Sequence, residues 1–329
     1  MREGMFLRIG VPNLITIVRH YLKMAKHSSK SSLRRIRKTV ARLRDFMSMD
    51  SYRNRKLALA ASRLELPSLV PLDTSTSVSD YLEYRQLVTG AATDEKIFTL
   101  FRSHHQYFPI LEHVSKDLGS KYLEIVRRRS NLPVDWVERC FSLNTIGSPQ
   151  KFSYPSIGRF SPTLLRYAKV FSDLEWLFGP LKGLRCIEIG IGFGGQAAIL
   201  DFLGEVREIH LYDLPPVLQL AKKFLDRSET SASTLFSDGR DPIVAGPADL
   251  LISNYAFSEL TRVVQFSYLE NVIAKASRGY ITWNSLSPDG LGPEELLSMI
   301  PGSKLLEELP KTAPGNVIIV WGTDRSLSD

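Results

Sequence analysis

Four glycines fall within the last six positions of the stretch CIEIGIGFGG, residues 186–195, and one acid, Glu188, interrupts the apolar run before them. Gly190, Gly192 and Gly194 let a chain turn tightly at the carboxyl end of a strand, bring bare backbone against a ligand, and let the following helix pack closely. Asp213 lies 23 residues after Gly190 (213 − 190), at the end of a second apolar run, where a carboxylate accepts hydrogen bonds from a ribose diol. Asp238, followed by Gly239, ends a third run at a position suited to an adenine edge. The glycine spacing fits both G-x-G-x-x-G and E-x-G-x-G-x-G. Glu188 separates the two readings, because a carboxylate repels a pyrophosphate but can hydrogen-bond toward an amine.

These residues need a frame. From residue 161 onward the pattern alternates: SPTLLRYAKVFSDLEWLFG reads as a helix closed by Gly179, LRCIEIG as a strand, GGQAAILDFLG as a helix, EIHLYDL as a strand and PPVLQLAKKFLDRS as a helix. STLFSD, ADLLISNYA and GYITWNS read as further strands, with a helix over QFSYLENVIAKAS. Such alternation predicts an α/β, Rossmann-like sheet that is mainly parallel and covered on both faces. SKLLEELPKTAPGNVIIVWG is two strand-like runs joined by a turn, so the sheet is expected to finish with an antiparallel C-terminal edge strand. Upstream, SVSDYLEYRQLV and the long stretch from Thr93 to Asn131 have helical character, with Arg127, Arg128 and Arg129 suited to a helix C-terminus. TIGSPQKFSYPSIGRFSP breaks regular structure and reads as a boundary or a loop covering a site. Three domains are expected: a basic helical arm over 1–65, a helical domain with its covering loop over 66–160, and a ligand-binding domain over 161–329.

The charge is uneven. The formal net charge is +7, but residues 1–63 hold 16 Lys or Arg against 3 acids, so the arm is +13 and the remaining chain −6. Leu33, Ile36, Val40, Leu43 and Met47 share one helical face among Arg34, Arg35, Arg37, Lys38, Arg42 and Arg44. Such a helix can pack on the body, lie on an anionic membrane surface, or grip nucleic-acid phosphates. Few aromatics accompany the arm's charges, and no nucleic-acid-binding signature appears, which disfavours nucleic acid. Two cysteines far apart, Cys140 and Cys186, point to no disulfide framework and to a reducing compartment. Without an apolar run of eighteen residues, a cytoplasmic protein is expected, with peripheral contact at the inner membrane surface through residues 1–50.

Taken together, GSP at 147–149, SPTLLRY at 161–167, IEIGIGFGGQ at 187–196, YDLPPVL at 212–218, ISNYAFSEL at 252–260 and GNVIIVWG at 315–322 resemble the class I S-adenosylmethionine-dependent methyltransferases, and within them the sugar O-methyltransferase family. The resemblance covers roughly residues 140–322 and leaves the basic arm outside. It implies that Glu188, Gly190, Gly192, Gly194 and Gln196 surround the methionine part of the cofactor, with Arg166 on its carboxylate. Asp213 and Leu214 take the ribose and Asp238 with Gly239 the adenine, while Ser253 and Asn254 sit at the transferred methyl group. A sugar or glycan is the implied acceptor and S-adenosylhomocysteine the product.

A sugar hydroxyl is a poor nucleophile, so a positioned base is expected. Glu259, five residues after Asn254, is the first candidate, and His105 of the pair His104 and His105 the second; Asn254 is expected to help hold the reacting groups. No dense acid cluster accompanies Asp249 and Asn254, so no required metal is expected. Three rival readings remain: an RNA methyltransferase using the arm, an NAD-dependent oxidoreductase, and a non-catalytic scaffold.

Overall fold

The computed structural model describes residues 49–69, 76–77, 81–243 and 246–323. The amphipathic arm helices expected before residue 49 lie outside the described residues. The chain divides into two compact units, Met1–Lys56 and Leu57–Asp329. The described part of the first is the start of helix α1 (Met49–Ala61).

The second unit begins with helices. α2 (Leu82–Thr93) leads into α3 (Glu95–Leu100), which starts where the Asp94 side chain accepts the Lys96 and Ile97 N–H groups. The long stretch that reads as continuous helix is broken: one 3₁₀ turn covers Phe101–Ser103, a π-helical turn covers Phe108–Glu112, and α4 (Lys116–Arg129) starts afresh behind Ser115. Pro109, which has no N–H to donate, explains the break, and the Ser115 hydroxyl caps the new helix on Leu118 N–H at 3.1 Å. After the short α5 (Trp136–Arg139), the Pro and Gly-rich segment forms a hairpin rather than an open loop, with β1 (Phe152–Tyr154) antiparallel to β2 (Gly158–Phe160).

From α6 (Pro162–Phe178) onward the expected alternation appears: β3 (Arg185–Ile189), α7 (Gly195–Gly204), β4 (Glu208–Asp213), α8 (Pro215–Ser228), β5 (Ser233–Asp238), β6 (Leu250–Asn254), the short α9 (Ala256–Glu259), α10 (Arg262–Asn271), β7 (Gly279–Trp283), α11 (Pro293–Met299), β8 (Lys304–Glu307) and β9 (Val317–Trp321). The sheet order is β5-β4-β3-β6-β7-β9-β8. Strands β3 to β7 are parallel, and β9 runs antiparallel to both β7 and β8. This is the mainly parallel α/β sheet that the sequence pattern predicts, with one correction. The antiparallel strand is not the edge; it inserts between β7 and β8, and the edge is β8. Helix α11 between β7 and β8 also went unread.

Both faces are buried. In β9, Ile318 and Val320 join one hydrophobic cluster while Ile319 and Trp321 join the other, as period-two alternation requires. The first cluster runs without interruption from Leu87 and Phe101 of the helical segment through Leu164 and Phe171 to Phe193 and Phe224 beside the sheet. The helices before residue 160 and the sheet therefore share one core.

Candidate active site

The glycine loop joins β3 to α7 at the carboxyl end of the sheet, next to the point where strand order reverses between β3 and β6. Ligands of open α/β sheets lie at that crevice. Gly190, at φ +74°, donates its N–H to the Tyr212 carbonyl at 2.8 Å, and a Cβ there would fall 1.9 Å from the Ala256 Cβ. Gly192, at φ +54°, donates its N–H to Asp213 Oδ2 at 3.1 Å, and a Cβ would fall 2.5 Å from a Leu111 methyl. Two different segments thus close on the loop: the turn after β6 and the π-helical turn of the helical segment. Gly194 stands at the N-cap of α7.

Asp213 ends β4. Its second oxygen accepts the Leu214 N–H at 2.7 Å, so both oxygens are oriented by backbone. The register sets it beside Asp238 at the end of β5. Arg240 chelates Asp238 through Nε at 2.9 and 3.1 Å, and this pairing holds the Asp238 carboxyl below the usual range. Gly239 donates its N–H to the Asp213 carbonyl at 2.9 Å, completing the bend beneath the two acids.

Glu188 points into the face of β3 that carries α6 and α7. Burial, with the Asp213 charge adding to it, pushes its carboxyl well above the usual range, although the Ala197 N–H donates to it. Its Oε2 has no hydrogen-bond partner. Arg166 on α6 is nearly buried among Tyr122, Tyr167 and Tyr255, and its Nε is likewise without a partner. Both residues act electrostatically on Tyr167. Gln196, 1% exposed, reaches from the first turn of α7 to the Tyr167 carbonyl at 3.4 Å and accepts from Asn254 Nδ2 at 3.5 Å. Arg166, Glu188, Gln196 and Asn254 are thereby gathered around Tyr167 and the glycine loop.

The turn after β6 is built by Ser253, whose hydroxyl donates to the Ile189 carbonyl and accepts the Phe257 N–H, both at 3.0 Å, in full burial. Ser253 thus fixes the turn rather than facing outward. Tyr255 follows Asn254 with φ 68° and ψ −30°, a conformation that costs a bulky residue on the order of 1–3 kcal/mol. Glu259 accepts from Asn284 Nδ2 at 2.8 Å. His105 is exposed and stacks on buried His104 with centroids 4.4 Å apart; burial, with His105 beside it, pulls the pKa of His104 down to about 4.

Further residues of this region went unread in the sequence. Arg102 and Glu112 form a buried pair at 2.5 Å; Arg102 also lies 4.3 Å from the Phe193 ring centroid, and Glu112 accepts the Thr163 hydroxyl at 2.9 Å. That pair holds Leu111 over Gly192. His113 is exposed at the end of the π-helical turn, within electrostatic reach of Arg166. Glu308, just past β8, accepts the Tyr255 hydroxyl. No local motif marks these residues, because each partner is distant in sequence. Among the described residues no group of three or more His, Cys, Asp or Glu could hold a metal ion, and no helix is long and apolar enough to cross a membrane.

No protein-family model and no curated protein matches the sequence. Parts of several solved structures are similar. The mitomycin 7-O-methyltransferase MmcR is 17% identical with a TM-score of 0.35, over 47% of this chain and 56% of that one. An rRNA methylase from Streptococcus thermophilus is 14% identical with a TM-score of 0.36, over 46% and 93%. TehB from Haemophilus influenzae is 17% identical with a TM-score of 0.36, over 45% and 59%. The similarity thus spans little more than half the length of MmcR or TehB, and the function is read from this chain's own residues.

Proposed function

We propose that the chain is an S-adenosylmethionine-dependent O-methyltransferase whose acceptor is a sugar hydroxyl, on a glycan or a glycosylated small molecule. One observation carries the reading: beside Tyr167, Arg166 Nε needs an acceptor and Glu188 Oε2 needs a donor. Unmet buried polar atoms of opposite character are costly, and a ligand with a carboxylate and an ammonium group on one carbon meets both. The methionine end of S-adenosylmethionine is such a ligand. Asp213 would take the ribose diol and the Asp238–Gly239 bend the adenine. A nicotinamide dinucleotide would set its pyrophosphate against Glu188, which disfavours it.

When bound, the cofactor supplies a methyl group on a sulfonium that departs as a neutral thioether. The chain's own work is to hold the acceptor oxygen about 3 Å from that methyl and to accept its proton. Glu259, oriented by Asn284, and His105 are proposed for that proton, with Asn254 holding the reacting groups. A sugar is supported by the side chains past Asn254, where the half-buried Tyr255 donates to the Glu308 carboxylate beside the exposed Thr312, with the buried Tyr122 close enough for Glu308 to act on it. Aromatic faces with a few fixed polar groups suit a polyhydroxylated ring. On the same reading the basic arm makes a peripheral contact with an anionic membrane on its cytoplasmic side, where a lipid-linked acceptor would lie. The arm's charge also favours a second reading, an RNA acceptor, which predicts binding that falls steeply with salt.

The test is isothermal titration of the protein with S-adenosylhomocysteine and, separately, NADH, repeated on Asp213→Ala. Binding of S-adenosylhomocysteine alone, lost in the variant, is the expected outcome; binding of NADH, or of neither, overturns the proposal.

A further inference from the structure

Tyr255 stands where two unusual features meet. Its backbone occupies a region that side chains rarely adopt, and its hydroxyl is committed as a donor to Glu308, 53 residues away. Glu308 is only 4% exposed, and the Thr312 N–H and hydroxyl donate to its carboxylate at 2.7 to 2.9 Å. Asn316 Nδ2 in turn donates to the Thr312 hydroxyl at 2.9 Å. A carboxylate held from so many sides cannot swing to meet a substrate. It can receive a proton through a donor that reaches the surface: Thr312 is exposed and Tyr255 half-buried, and of the two it is Tyr255 that adjoins Asn254.

The position is apt for that. Tyr255 follows Asn254 directly, Ala256 packs on Gly190, and the Tyr255 N–H is fixed on the Thr282 carbonyl at 3.0 Å, so the residue is clamped against the glycine loop. Arg166 from α6 and Tyr122 from α4 face the phenol, and Tyr280 of β7 lies near enough to feel it. A phenol that donates to Glu308 still has a lone pair with which to accept.

We infer that Tyr255 and Glu308 form a proton relay for the acceptor hydroxyl, Tyr255 Oη accepting the hydroxyl's proton as its own proton passes to Glu308 Oε1. This rests on the methyltransferase reading. The hydroxyl O–H bond breaks and leaves its electron pair on oxygen, the oxygen bonds to the methyl carbon as that carbon's bond to sulfur breaks with its pair going to the thioether, the phenol ends neutral, and Glu308 ends protonated and later loses the proton to water. Burial and Glu308 hold the Tyr255 phenol well above its usual range, which keeps it neutral and able to pass a proton rather than store a charge. On this inference the relay takes the place of Glu259, which accepts from Asn284, and of His105 as the first acceptor of that proton.

The experiment uses full-length protein, S-adenosylmethionine and a set of p-nitrophenyl hexosides as acceptor probes, with Tyr255→Phe, Glu308→Gln and the double variant. The expected result is a loss of about 10²–10⁴-fold in kcat for either single relay variant and no further loss in the double. S-adenosylhomocysteine affinity should stay within about threefold throughout, since neither residue touches the cofactor on this reading. Without any acceptor, the tyrosine ultraviolet difference spectrum between wild type and Glu308→Gln at one fixed pH should show a component that is absent when the same comparison is made in the Tyr255→Phe background. A Tyr255→Phe enzyme within threefold of wild type, or losses that multiply, would overturn the relay. So would a wild type that binds S-adenosylhomocysteine but methylates no hexoside. A wild type that binds no S-adenosylhomocysteine sinks the methyltransferase reading itself, a distinguishable failure.

Discussion

Glu188 and Arg166 approach Tyr167 from a strand and a helix, and each keeps one buried polar atom unmatched. A charged hydrogen bond at such a place is worth about 1.5–3 kcal/mol, or roughly 10–100-fold in affinity. Arg166→Met is therefore expected to weaken S-adenosylhomocysteine by that factor in calorimetry while leaving adenosine nearly unchanged. Equal losses for both ligands would mean that Arg166 does not meet the amino-acid end.

Glu188 also sets a pH dependence. Its folded carboxyl binds protons above the unfolded range, so between the unfolded pKa and the raised folded one the native state holds more protons and stability falls as pH rises. Glu188→Gln should accordingly raise the melting temperature at pH 7, by about 2–4 °C, and the gap should close as pH falls toward the ordinary glutamate range. Added S-adenosylhomocysteine should stabilise the wild type more than the variant. A variant that melts lower at pH 7 in the free state would contradict the assignment.

The Arg102–Glu112 pair is nearly fully buried on both sides. Removing one partner leaves a buried charge alone, so Arg102→Met is expected to cost about 3–5 kcal/mol in urea unfolding. Arg102→Met with Glu112→Gln should recover part of that loss. Additive losses would show that the two do not act as a pair.

Gly192 offers a steric test. Gly192→Ala places a methyl 2.5 Å from Leu111 and keeps φ at +54°, so both crowding and backbone strain oppose it. Leu111→Ala in the same chain should restore the crowding part of the lost thermal stability and leave the strain part. No recovery would show that Leu111 does not limit the space above the loop.

The arm makes a separate prediction. Vesicles with anionic headgroups should co-sediment the full chain and release it as salt rises, and a chain beginning at residue 49 should stay in solution. Retention of the shortened chain on vesicles would place the contact elsewhere.

Much of the sheet was legible because its signals are local. STLFSD coincides with β5, Gly179 ends α6 at φ +76°, and Asp213 and Asp238 emerge side by side at strand ends as their spacing implies. What escaped was long-range or competitive. The antiparallel order of β9 was legible, yet its place between β7 and β8 depends on pairing that no local pattern records. The stretch over 93–131 has helical periodicity throughout, but Pro109 and the Ser115 cap cut it. Asn254 and Gln196, 58 positions apart, could be placed together because Asn254 ends β6 and Gln196 opens the helix after the glycine loop; Tyr255 and Glu308 could not, since Glu308 follows an edge strand whose register only the fold supplies.

The insertion of β9 has a consequence for synthesis. β8 reaches the sheet only through β9, which is made after it. On the ribosome, strands β3 to β7 and the glycine loop can assemble while the segment bearing Glu308 still lacks its neighbour. A nascent chain halted near residue 310 would therefore hold the glycine loop and the paired strand-end acids Asp213 and Asp238 before Glu308 has the strand that fixes its place.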